Sequence, residues 1–96
     1  MKASIEMCTL VELLAKNEIP YEINYIYDTM QVVYPNKEEC IIDAVSHKFS
    51  YGHDKGLLEI MFRESEEVYG NLTGKEVYEI MCKDYLERIN LYDMGI

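Results

Sequence analysis

The chain has no tryptophan, only two prolines, and no apolar run long enough to cross a membrane. Glu6 and Glu12 interrupt the apolar stretch near the start, which therefore resembles neither a signal peptide nor a membrane span. There is no CxxC pair, since the three cysteines stand far apart at Cys8, Cys40 and Cys82. Isolated cysteines are typical of small buried groups in a reducing compartment, so we predict a cytoplasmic protein.

Basic residues are scarce: 9 lysines and arginines stand against 18 acidic residues, which gives a net charge of −9. Such a surface is repelled by nucleic acid and by anionic lipid, so we expect neither as a direct partner. A basic protein surface remains a suitable partner, including one that normally holds nucleic acid. The alternative is that the acidity only keeps a small protein soluble.

Patterns that carry catalysis or bind metals are also absent. Cys40, His47, His53 and Cys82 do not follow the spacing of a zinc site, and no GxSxG motif occurs. Ser46 and His47 are adjacent, so on a strand they would point to opposite faces. We therefore predict a protein that is not an enzyme and that needs no metal or cofactor.

The 96 residues are 49% hydrophobic, which predicts a single folded domain over residues 1–96. Ser4 is placed to cap a first helix that runs to about Lys16, and Pro20 prevents its continuation. Residues 21–28 alternate between apolar and polar side chains, as in a half-buried strand, and residues 31–34 predict a second strand. Together these two strands form an antiparallel hairpin.

Residues 39–48 fit two structures. As a strand they place Cys40, Ile42 and Ala44 on the core side; as a helix they would be capped by Asn36 and Glu39. Several β-branched residues in a short run favour the strand.

Two helices are predicted after this segment. The first starts near Asp54 and includes residues 57–61, followed by a polar, acidic loop or helix extension over residues 63–71. The second starts at a capping box formed by Thr73 and Glu76. The predicted fold is therefore α+β, with an N-terminal helix, a three-stranded antiparallel sheet and two C-terminal helices packed on one face.

Residues 46–62 contain both histidines and a loop with glycines at positions 52 and 56. A helix starting there would offer free backbone N–H groups, which suit a phosphate or carboxylate. The candidate ligand-binding residues are Ser50, Tyr51, Gly52, His53 and Lys55. The alternative is a tight turn into the helix, with Tyr51 packed in the core.

Nine tyrosines against two phenylalanines suit half-buried surfaces and interfaces. The candidate partner-binding residues lie in the acidic segment and on the last helix: Glu64, Glu66, Glu67, Tyr69, Tyr78 and Tyr85. The apolar face of the last helix is wide, so it contacts either the first helix or a second subunit of a homo-oligomer.

The run from Ser50 to His53, the run over residues 57–61, and the pairs Tyr34-Pro35 and Leu72-Thr73 resemble small uncharacterised proteins encoded in prophages and mobile elements of Firmicutes-type bacteria. The similarity covers residues 20 to 88. It departs at Phe62, where those proteins carry a glycine, which puts the predicted exit from that helix in doubt.

The resemblance implies a genomic setting rather than an activity, because small acidic phage proteins are often inhibitors of host defence. The leading hypothesis is thus an inhibitor in the host cytoplasm that binds an immune protein through an acidic, tyrosine-rich surface. An alternative is a sponge that sequesters a small anionic ligand, such as a nucleotide immune signal. A further alternative is a structural phage protein.

Overall fold

The computed structural model describes residues 4–26, 29–46 and 56–93. Two helices and five strands follow one another along these residues. They are α1 (Ile5–Lys16), β1 (Glu22–Ile26), β2 (Thr29–Tyr34), β3 (Ile42–Val45), β4 (Leu58–Phe62), β5 (Glu67–Leu72) and α2 (Gly74–Asp93). The strands form one antiparallel sheet in the order β1-β2-β3-β4-β5, so neighbours in the sequence are neighbours in space.

The α+β class agrees with the sequence, but the predicted three strands and two C-terminal helices are wrong. The helix predicted over residues 57–61 is strand β4, in which Leu58 and Ile60 are fully buried and alternate with partly buried neighbours. The polar loop or helix extension predicted over residues 63–71 is instead a turn followed by strand β5. A five-residue run is too short to nucleate a helix on its own, and pairing with β3 and β5 determines its structure.

The ambiguous segment over residues 39–48 contains strand β3, as the β-branched residues indicated. Ile42 and Ala44 lie on the face that packs against the helices. Asp43 and Val45 lie on the opposite face and are also buried. Cys40 precedes the strand and is half-buried.

The helix caps predicted at Ser4 and at Thr73 are confirmed. The Ser4 side chain accepts a hydrogen bond from the Met7 N–H at 3.1 Å, and Asn17 is the C-cap of α1. In the capping box, the Glu76 carboxylate accepts from the Thr73 N–H at 2.9 Å, and the Thr73 hydroxyl accepts from the Glu76 N–H at 3.1 Å.

The two helices cross where α2 begins. The Gly74 N–H donates to the Glu6 carboxylate at 2.8 Å, and a Cβ at position 74 would collide with the Glu6 backbone carbonyl. Glycine is therefore required for this close approach.

The core lies between the helices and one face of the sheet. Its buried residues are Met7, Leu10, Leu14, Ile19, Val32, Tyr34, Ile42, Ala44, Leu58, Ile60, Val77 and Met81.

Candidate protein-binding surface

Strands β4 and β5 and their connection form a hairpin with an acidic tip, called here the acidic hairpin (residues 58–72). The chain reverses at Glu66, whose φ is 60° and whose N–H donates to the Phe62 carbonyl at 2.7 Å. This geometry leaves the side chains of Glu64, Glu66 and Glu67 exposed to solvent. Three exposed carboxylates thereby lie on the turn and on the first residue of β5.

The one basic residue of the acidic hairpin, Arg63, is already paired. The Arg63 Nε lies 2.8 Å from the Asp43 carboxylate. The backbone N–H of Arg63 donates to the Ile41 carbonyl at 2.9 Å. Asp43 is only 5% exposed, and burial raises its pKa while the Arg63 guanidinium opposes that rise. Because Asp43 neutralises Arg63, the tip presents the charge of its glutamates.

Two aromatic rings stiffen the acidic hairpin. Phe62 and Tyr69 pack edge to face with centroids 5.8 Å apart. The Tyr69 hydroxyl donates to the Glu67 carboxylate at 2.8 Å, and this hydrogen bond raises the pKa of Tyr69. Tyr69 is nonetheless 47% exposed. It is an oriented, exposed tyrosine beside the carboxylates, and tyrosine is among the residues that most often anchor protein contacts.

A groove separates the acidic hairpin from α2. At its base, the buried Tyr34 hydroxyl donates to Asp84 Oδ2 at 2.7 Å, and Arg88 Nε lies 2.7 Å from the same oxygen. Burial, followed by the hydrogen bond to Asp84, raises the pKa of Tyr34 well above its usual range. A cavity of 310 Å³ lies here, lined by Ile41, Phe62, Glu64, Ser65, Asp84 and Arg88.

The predicted partner-binding residues fall in two places. Glu64, Glu66, Glu67 and Tyr69 lie together on the acidic hairpin. Tyr78 and Tyr85 instead lie on α2 and pack partly against the core, so they do not share that surface.

The predicted ligand-binding residues Ser50, Tyr51, Gly52, His53 and Lys55 lie outside the described residues. The helix whose N-terminus was to form part of that site is strand β4 instead. Where the structure resumes, the Ser46 hydroxyl donates to the Leu57 carbonyl at 3.0 Å and joins the two ends of the intervening segment.

Sequence reasoning missed the contacts that shape the surface: Asp43 with Arg63, and Tyr34 with Asp84. The alternation of apolar and polar side chains over Leu58, Glu59 and Ile60 was the available sign of a strand there. Nothing local connects Tyr34 with Asp84, which are 50 positions apart.

Among the described residues, no group of histidine, cysteine, aspartate or glutamate side chains is arranged to hold a metal ion. Neither α1 nor α2 has the length and apolar character needed to cross a membrane. Comparison with protein-family models, curated proteins and solved structures finds no match.

Proposed function

We propose that this protein is a non-enzymatic inhibitor that binds a basic surface of another protein through the acidic hairpin. The observation that supports this most is the exposure of Glu64, Glu66 and Glu67 at the tip of the acidic hairpin, where the neighbouring arginine is paired with a buried aspartate. The proposed partner is a host immune protein, in keeping with the prophage setting that the sequence resemblance implies.

The two kinds of side chain at the tip have different roles in this proposal. The exposed carboxylates accelerate encounter with a basic partner and orient it, an effect that salt weakens. Tyr69, held by Phe62 and Glu67, supplies an aromatic contact whose conformation is fixed before binding. Such preorganisation lowers the entropy lost on association.

The test is a pull-down from host lysate with three versions of the full chain. The wild type is compared with the variant Glu64→Lys, Glu66→Lys, Glu67→Lys. The control variant carries the same change of charge at exposed sites away from the hairpin, namely Glu12→Lys, Glu38→Lys and Glu79→Lys. Wild type and control should retain one common partner, identified by mass spectrometry, whereas the hairpin variant should lose it.

Equal retention by the hairpin variant would place the contact elsewhere. Equal loss in both variants would mean that the overall charge, and not this surface, attracts the partner. Affinity for the identified partner, measured by calorimetry, should fall as salt rises from about 0.05 to 0.5 M, a range over which the Debye length shrinks severalfold.

A further inference from the structure

Strand β1 is an open edge of the sheet. Within residues 4–26, 29–46 and 56–93, antiparallel pairing joins it to β2 alone, with Asn24 opposite Gln31 and Tyr25 opposite Met30. The Tyr34 carbonyl accepts a hydrogen bond from Ile41 and so points towards β3. Because main-chain groups alternate in direction along a strand, the N–H and C=O groups of Val33 and Gln31 point towards β1.

The same alternation fixes the direction of the main-chain groups of β1. Glu22, Asn24 and Ile26 face Val33, Gln31 and Thr29 of β2 and direct their N–H and C=O groups towards them. The N–H and C=O groups of Ile23 and Tyr25 consequently point away from the sheet. They form a short row of donors and acceptors ready to pair with another strand.

Little protects this edge. Strand β1 contains no proline, and its register with β2 is continuous over all five residues. Its only charged side chain is Glu22. Tyr25 is 60% exposed, and it lies with Ile23 on the face of the sheet that carries the helices. A polar main-chain row thus adjoins an exposed aromatic ring.

We propose that β1 pairs with β1 of a second copy of this chain, antiparallel, about a two-fold axis at Asn24. In this register Ile23 faces Tyr25 of the second copy, and these are the residues whose main-chain groups point outwards. The pairing also sets an aromatic ring against a β-branched side chain, a favourable cross-strand combination. Two five-stranded sheets become one continuous sheet with all helices on one face.

Charge is compatible with this register. Each Glu22 lies opposite Ile26 of the second copy, and the two Glu22 positions are four residues apart along the paired strands. That separation is about 13 Å at the rise of a strand, which exceeds the Debye length of about 8 Å at physiological ionic strength. Pairing in this way therefore does not bring the two Glu22 carboxylates together, despite the net charge of −9 on each chain.

The test is sedimentation velocity of the full chain from about 1 μM to 1 mM at physiological salt, a range that brackets contacts of weak to moderate affinity. The wild type should sediment as a dimer of the 11.3 kDa chain at the upper concentrations. Ile26→Lys places a lysine opposite each Glu22 and should tighten the dimer by roughly two- to thirtyfold. Ile26→Glu places carboxylates opposite each other and should weaken it by a similar factor.

These two variants remove the same isoleucine. A general defect in the fold would therefore change the dimer dissociation constant of both variants in the same direction. Val68→Glu, at an exposed position of β5, is the matched control and should leave the dissociation constant unchanged. The proposal is overturned if the wild type is monomeric at every concentration. It is also overturned if the two Ile26 variants change the dissociation constant equally, or if Val68→Glu changes it and they do not. Binding of a foreign strand by a monomeric wild type would overturn it as well.

Discussion

The two edges of this sheet differ in how they meet solvent. The β5 edge bears Glu67 and has an irregular register against Leu58 and Ile60, with Asn71 at a φ of 59°. The β1 edge is regular, with Glu22 as its single charge. Charge and a break in register are the means by which proteins prevent a strand from adding to an edge. The protein thus combines a protected edge that carries the acidic hairpin with an unprotected one.

This difference separates two modes of association. Pairing at β1 would leave the acidic hairpin free at the far end of each subunit, because β2 and β3 lie between β1 and the acidic hairpin. A dimer would then present two acidic hairpins, which could raise the avidity for a partner with repeated sites. The two surfaces should respond independently to mutation.

The largest effect is expected at Gly74, on which both edges depend through the packing of the helices. Gly74→Ala forces a Cβ against the Glu6 backbone and should lower the free energy of unfolding by about 2–3 kcal/mol. Gly56→Ala is the control: its φ of 72° disfavours alanine, but nothing lies within 4 Å of the added Cβ. It should cost only about 1 kcal/mol. Urea unfolding measures both, and a larger loss for Gly56→Ala would contradict this account.

The second prediction concerns a substitution that prevents strand pairing at β1 and leaves the acidic hairpin intact. Tyr25→Pro removes an outward-pointing N–H, which an edge strand tolerates. It should abolish dimer formation in sedimentation while the acidic hairpin still binds its partner. Asn24→Pro is the contrasting variant, because it removes an N–H directed at β2 and should destabilise the monomer, which Tyr25→Pro should not do. Similar unfolding midpoints for the two variants would show that the assigned alternation is wrong.

The third prediction concerns the contact between Tyr34 and Asp84, at the base of the groove between α2 and the acidic hairpin. Tyr34→Phe removes the hydrogen bond to Asp84 and should lower the free energy of unfolding by about 1 kcal/mol. The pKa of Tyr34 is raised in the folded protein, so its stabilising contribution is complete below the ordinary value of 10.0 and is lost as the pH rises beyond it.

The difference between wild type and Tyr34→Phe should therefore shrink above pH 10.0 in urea unfolding. A difference that grows with pH would contradict the assignment of the raised pKa. Dimer formation and partner binding should remain as in the wild type.

The smallest effect is expected at Asp43, which joins the centre of the sheet to the acidic hairpin. Burial raises its pKa, so the ionised form is disfavoured in the folded state. Wild type should gain stability relative to Asp43→Asn as the pH falls towards the ordinary value of 3.8, by about 1 kcal/mol or less. Unfolding by urea at several pH values tests this, and a loss of relative stability on acidification would contradict it.

Asp43→Asn should also affect the two edges of the sheet differently. Without the Asp43 carboxylate, the charge of Arg63 is no longer neutralised, and binding to a basic partner should weaken a few-fold. The dimer contact at β1 should not change. Weakening of both contacts would show that the edges are coupled through β3.

Sequence reasoning predicted the features that short-range chemistry determines. The cap at Ser4, the capping box at Thr73 and the hairpin of β1 and β2 depend on residues a few positions apart. Strand β4 was missed because its leucine and methionine residues suit a helix in isolation, while its partners β3 and β5 make it a strand.

The candidate site divides in the same way. The acidic segment at Glu64, Glu66 and Glu67 is evident from composition, but its projection on a turn depends on β5, which was predicted as a loop. The pairing of Arg63 with Asp43 follows from the packing of the sheet, and no local pattern encodes it.

The contact between Glu6 and Gly74 spans 68 positions and brings the first helix against the last. During synthesis, α1 is made well before its main partner α2. At about 5–20 residues per second, the apolar stripe of α1 waits for roughly 4–15 seconds before it can be covered. The side chains of α1 that chaperones would bind on the nascent protein are therefore those buried in the folded state, Met7, Leu10 and Leu14.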